Sequence, residues 1–144
     1  MSKILLVDDH AVVRKALVKI LKDSDASISV DEAGNGQEAI SRILRSAYEL
    51  VLLDITMPGP SGLEVIKEIK GRLPRLPVLM LSVHQEEEYA RRALNAGASG
   101  YVTKDDATEE LIEAVRKVLG GGRYVSASLA GRVGSEKGGD TSNL

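Results

Sequence analysis

Six polar residues stand directly after short apolar runs: Asp8 and Asp9 after Ile4–Val7, Asp54 after Leu50–Leu53, Ser82 after Val78–Leu81, and Thr103 with Lys104 after Gly100–Val102. If the runs are strands of one parallel sheet, these residues meet on the rim where open α/β sheets bind ligands. Three crowded carboxylates raise one another's pKa unless a cation joins them, and hard oxygen donors suit Mg²⁺. Zinc is a poor match, because the chain has no cysteine and only His10 and His84 as imidazoles. A carboxylate beside such a metal can attack phosphorus and become an aspartyl phosphate, with the Lys104 ammonium and the Ser82 hydroxyl against the phosphoryl oxygens. Asp54 is the natural nucleophile, standing alone after a central run, while the adjacent Asp8 and Asp9 are better placed to hold metal. Singly, each residue has a plainer explanation as a turn former, a helix cap or a solvated charge. Four strand ends delivering compatible chemistry to one place are harder to explain by caps.

The elements that must position these residues alternate along the chain. The four runs are apolar throughout, the pattern of strands covered on both faces, and Ile28–Ala33 alternates like an edge strand. Between them lie helical patterns. Val13, Ala16, Leu17, Ile20 and Leu21 form one stripe; Ile40, Ile43, Leu44 and Ala47 a second; Ile66, Ile69 and Leu73 a third. Leu111, Ala114, Val115 and Val118 mark the last helix, which Asp106 with Glu109 could open as a capping box and Gly120 could close. The helix near Glu86–Ala96 has only Tyr89 and Leu94 as large apolar residues and is expected to be the most loosely held. Five strands alternating with five helices predict an α/β fold with right-handed crossovers and helices on both faces.

The length of 144 residues suits about one domain of roughly 150 residues. A net charge of −2 gives no bulk basic field for nucleic acid, and no apolar run is long enough to cross a bilayer, so no membrane association is expected. The absence of cysteine and of a signal-peptide pattern makes a cytoplasmic location the default. Gly120–Gly122 break the last helix, and Gly131–Leu144 is rich in glycine and small polar residues, so the chain divides into a domain over 1–122 and a flexible tail or linker over 123–144.

Leu5-Leu6-Val7-Asp8-Asp9-His10, Ala33-Gly34-Asn35-Gly36 with Glu38-Ala39, Asp54 with Met57-Pro58 and Gly62, Leu81-Ser82, and Gly97-Ala98 with Gly100-Tyr101 and Lys104 together resemble the CheY-like receiver domain of two-component response regulators. The resemblance covers about Lys3 to Leu119. The Asp8-Asp9-His10 start, the Tyr101–Lys104 segment without a following proline, and the Gly121–Ser126 ending are similar to the NarL/FixJ (LuxR-type) subfamily. The resemblance implies a doubly wound five-stranded parallel sheet in the order 2-1-3-4-5 with five helices. It makes Asp54 the phosphoacceptor, Asp8, Asp9, Asp54 and the Thr56 carbonyl the ligands of Mg²⁺ (Mn²⁺ as a substitute), and Lys104 the phosphoryl contact. Ser82 becomes the hydroxyl that shifts toward the phosphoryl group, and Tyr101 the aromatic residue that turns inward behind it. The implied protein is a phosphorylation-activated switch rather than a turnover enzyme. It would receive its phosphoryl group from a sensor histidine kinase, form a homodimer on phosphorylation, and reach DNA only through a C-terminal helix-turn-helix domain that this chain lacks.

Two departures stand out: Asp105 follows the lysine where many receivers have proline, and Val83 stands where Ala or Gly is common, which is expected to narrow access and lengthen the life of the phosphorylated state. The missing output domain makes the chain a piece of a longer protein or a stand-alone receiver. Gly34-Asn35-Gly36 with Ala39 also fits a dinucleotide-binding G-x-G-x-x-A, with Asp54 in the place of a ribose-binding acid. That reading leaves Asp8, Asp9, Ser82 and Lys104 without a role. A haloacid-dehalogenase phosphatase needs a second Asp where Thr56 stands, and a flavodoxin-like phosphate loop is opposed by the charge of Asp8-Asp9.

Overall fold

The computed structural model describes residues 2–54, 62–82, 87–103 and 107–126. Along the chain run β1 (Ser2–Val7), α1 (Ala11–Ser24), β2 (Ile28–Ala33), α2 (Gly36–Arg45), β3 (Leu50–Asp54), α3 (Gly62–Arg72), β4 (Val78–Ser82), α4 (Glu87–Asn95), β5 (Gly100–Thr103), α5 (Ala107–Leu119) and β6 (Tyr124–Val125). Every pairing is parallel and the order is β2-β1-β3-β4-β5-β6. The expected 2-1-3-4-5 sheet is therefore present, with a sixth strand of two residues in the stretch read from the sequence as tail.

Alternation along the strands divides the core in two. Leu5, Val7, Val51, Leu53, Met80 and Tyr101 face α2, α3 and α4, while Ile4, Leu6, Leu52, Leu79, Leu81 and Val102 face α1 and α5. Both faces are buried, which is why β3, β4 and β5 are buried at every position. α4 holds its place with Ala90, Ala93 and Leu94. The Tyr89 side chain, which the sequence also assigned to this helix, lies outside the described side chains.

Two apolar stripes are shorter than the spacing suggests. In α1, Leu17 and Leu21 are buried but Val13 and Ala16 are exposed, because the helix starts beyond the end of β1 and meets the sheet only from Leu17 onward. α2 stops at Arg45, which leaves Ala47 outside it and Leu44 exposed. Its start explains the glycine motif. Asn35 accepts a hydrogen bond from Glu38 N at 2.8 Å, and Glu38 Oε1 accepts one from Gly34 N at 2.9 Å, a reciprocal cap. The side chains of Glu38 and Asn35 thus occupy two of the backbone donors a pyrophosphate would need. A Cβ on Gly36 would come within 2.8 Å of Val65 Cγ2, so this glycine serves the approach of α2 to α3. The cap proposed for α5 at Asp106 and Glu109 lies outside the described residues and side chains.

β6 comes so close to β5 that a Cβ on Gly100 would lie 2.6 Å from the Tyr124 carbonyl oxygen and 2.7 Å from Leu79 Cδ1. The obstacle on one side is backbone. Gly100→Ala is expected to lower stability by about 1–3 kcal/mol through overpacking, read as a lower midpoint in urea with an unchanged slope.

Candidate functional site

Register brings the predicted residues to one rim. Val7 pairs with Leu53, Asp54 with Leu81, and Ser82 with Thr103, so Asp8, Asp54, Ser82 and Thr103 follow one another across the carboxyl ends of β1, β3, β4 and β5. All four are buried, Asp8 and Asp54 to within 1% of full burial. The Asp9 side chain is 26% exposed and that of His10 61%. One ligand atom each from Asp8, Asp9, His10 and Asp54 lies within 4.8 Å of the others. Thr56, Val83, Lys104 and Asp105, to which the sequence also gave roles or departures, lie outside the described residues.

The loop after β1 is held from several sides. Asp8 N donates to the Ala33 carbonyl at 3.0 Å, and Asp8 Oδ1 accepts from His10 N at 2.9 Å. The Arg14 guanidinium donates to the Asp8 carbonyl and, through Nε, to Glu32 Oε1 at 2.8 Å. The Arg14 hydrogen bond, aided by Lys15, holds the Glu32 carboxyl below its ordinary range against the opposing effect of burial. Arg14 and Glu32 are partly buried and tie α1 and β2 to the acidic loop, a role that α1's apolar spacing did not signal.

The donor set fits a hard divalent cation. Asp8 and Asp54 offer buried carboxylates, and Asp9 Oδ1 is shut off from solvent and, among the described residues, accepts no hydrogen bond, with His10 Nδ1 3.0 Å away. Two like charges at the outer limit of this spread, 4.8 Å, repel by about 3 kcal/mol at an effective dielectric of 20, so this acidic pocket is a place where a metal ion can bind. His10 adds a nitrogen donor that the sequence reading left aside. Tyr101 is fully buried in the core beneath α4, with Ala90, Ala93 and Leu94 in the same cluster. A broad groove lies elsewhere among the described residues, at the opposite end of the sheet between the ends of α2 and α3, lined by Leu44, Tyr48, Leu73 and Leu76.

Residues 4–116 match the response regulator receiver domain family. Among curated relatives, the chain is 42% identical over 127 residues to the transcriptional activator protein ExaE of Pseudomonas putida, covering 88% of this chain and 59% of that one. It is 37% identical over 130 residues to the response regulator UvrY of Escherichia coli K12, covering 90% and 60%. The chain thus spans about three-fifths of the length of these relatives. A crystal structure of a LuxR-family two-component response regulator from Aurantimonas sp. SI85-9A1 superposes with a TM-score of 0.89 at 33% identity, covering 95% of this chain and 98% of that one.

Charge crowding predicts that Asp54→Asn raises the melting temperature of the metal-free protein by relieving repulsion, while shrinking the rise that Mg²⁺ produces in the parent; calorimetry with and without the ion measures both. The Arg14–Glu32 contact has a pH signature. With the folded carboxyl depressed, its stabilisation is present above the unfolded pKa and lost as pH falls through the carboxylate range, so Glu32→Gln should flatten the acid limb of a stability-against-pH curve.

Proposed function

The chain belongs to the response regulator receiver domain family, whose members are regulatory phosphoacceptors rather than turnover enzymes, and on that premise we propose that it is the phosphorylation-activated switch of a two-component system. The observation that carries this reading is the gathering of Asp8, Asp9 and Asp54 within 4.8 Å at the strand ends, two of the three buried.

In this reading an Asp54 carboxylate oxygen attacks the phosphorus of a phosphohistidine on a sensor kinase, or of a small donor such as acetyl phosphate. The new O–P bond forms as the donor's N–P or O–P bond breaks, and imidazole or acetate leaves. Asp8, Asp9, Asp54 and the Thr56 carbonyl would hold Mg²⁺, with Mn²⁺ as a substitute. When bound, the ion supplies positive charge against the phosphoryl oxygens. Lys104 would contact those oxygens, Ser82 would move its hydroxyl toward them, and Tyr101, the residue assigned the inward position behind it, is already fully buried. Fixed groups of this kind shift an existing two-state equilibrium by adding charge at one of its poles.

Downstream, the modified state changes a surface for self-association and regulates transcription through a DNA-binding helix-turn-helix domain joined beyond Ser126. ExaE is named as a transcriptional activator, and this chain covers only the share of it reported above. Among the described residues no helix is long and apolar enough to cross a membrane, and a cytoplasmic place is proposed on family grounds. Incubation with acetyl phosphate is expected to add one phosphoryl group by intact-mass measurement, dependent on Mg²⁺ and absent in Asp54→Asn. An adduct that survives Asp54→Asn, or none at all in folded protein, overturns the assignment.

A further inference from the structure

The C-terminal end of β5 is fastened from both sides. On one side Thr103 pairs with Ser82 of β4. On the other, Ser126 N donates to the Tyr101 carbonyl at 2.9 Å, and the Ser126 hydroxyl accepts the Thr103 N–H at 2.9 Å. The hydroxyl therefore adds a rung just past the last residue of β6. Ser126 is fully buried and bonds to a residue 23 positions away, unlike a surface serine capping its own turn. The approach is built into β5 as well, since Gly100 leaves no room for a side chain beneath the Tyr124 carbonyl. Thr103 directly precedes Lys104 in the chain.

We propose that Ser126 is a positioning residue of the phosphoacceptor site: its buried hydroxyl pins the end of β5 beside Ser82, at the residue that precedes Lys104 in the chain. The inference rests on the roles given above to Ser82 and Lys104. A buried backbone N–H that loses its acceptor is costly, so the Thr103–Ser126 bond resists any movement of the end of β5. A group bound at Asp54 that draws Ser82 inward acts on its partner Thr103 and through it on Ser126.

The test is amide exchange by NMR on the full chain, before and after saturation with beryllofluoride and Mg²⁺, with occupancy read from the bound fluorine signal. Exchange at Thr103 and Ser126 is expected to change together, tenfold or more, while Val30 on the far edge strand does not respond. Ser126→Ala should lose tenfold or more of the protection at Thr103 and take up phosphoryl groups from acetyl phosphate at least threefold more slowly. Ser126→Thr, which keeps the hydroxyl, should restore both. Ile43→Val, a core change in α2 chosen to lower the melting temperature, should leave uptake unchanged. A Ser126 amide that stays silent at full beryllofluoride occupancy overturns the proposal, even if Ser126→Ala fails to fold, and so does wild-type uptake in a folded Ser126→Ala. If the parent protein neither binds beryllofluoride nor takes an adduct, the phosphoacceptor reading falls and this inference with it.

Discussion

Carboxylates buried beside one another repel, and the architecture is organised around keeping Asp8, Asp9 and Asp54 together in spite of that. A parallel sheet covered on both faces is suited to the task. Its backbone is fixed by hydrogen bonds on either side, its side chains are locked by two cores, and its strand ends cannot drift apart without breaking register. The unfavourable electrostatics sit at one rim and the apolar contacts that hold the rim are spread over the interior. A site of this kind is primed for a cation and for a change in its own charge.

The ties around the acidic loop follow from the same constraint. The loop after β1 is short, so its geometry depends on neighbours: the Ala33 carbonyl of β2, the amide of His10 and the Arg14 guanidinium of α1. Arg14 is bonded on its other side to Glu32, which fixes it without placing its charge on the carboxylates. A guanidinium bonded directly to Asp8 Oδ1 would neutralise the acid that a metal requires. Bonded to the carbonyl, it steadies the backbone instead.

The fold and the site were legible in the sequence to different depths. Strands buried on both faces announce themselves as unbroken apolar runs, and the polar residues that end them announce the rim, so Asp8, Asp9, Asp54 and Ser82 could be placed before any coordinates. The limits of the α1 and α2 stripes could not, because periodicity reports which residues share a face and says nothing of how far the sheet extends beneath it. Glu38 looked like part of a glycine-rich motif until its carboxylate was seen closing over Gly34. β6 gave no periodic signal as a strand. Two residues are too few to show a period, and Ser126 reads like any other small residue of a polar tail; only Gly100, a glycine inside a strand, hinted that another backbone comes close.

The two margins of the sheet are finished by different means. β2 carries Asp31 and Glu32 in its six residues, charges that discourage a foreign strand from pairing along it. β5 is Gly-Tyr-Val-Thr, without a single charge, and would be an adhesive margin if left bare. The short β6 covers it and offers so few free backbone groups beyond itself that little remains to recruit a neighbour. A protein cut before Tyr124 would keep every acidic residue of the site, yet what fails first would be solubility, through sheet-to-sheet association between molecules.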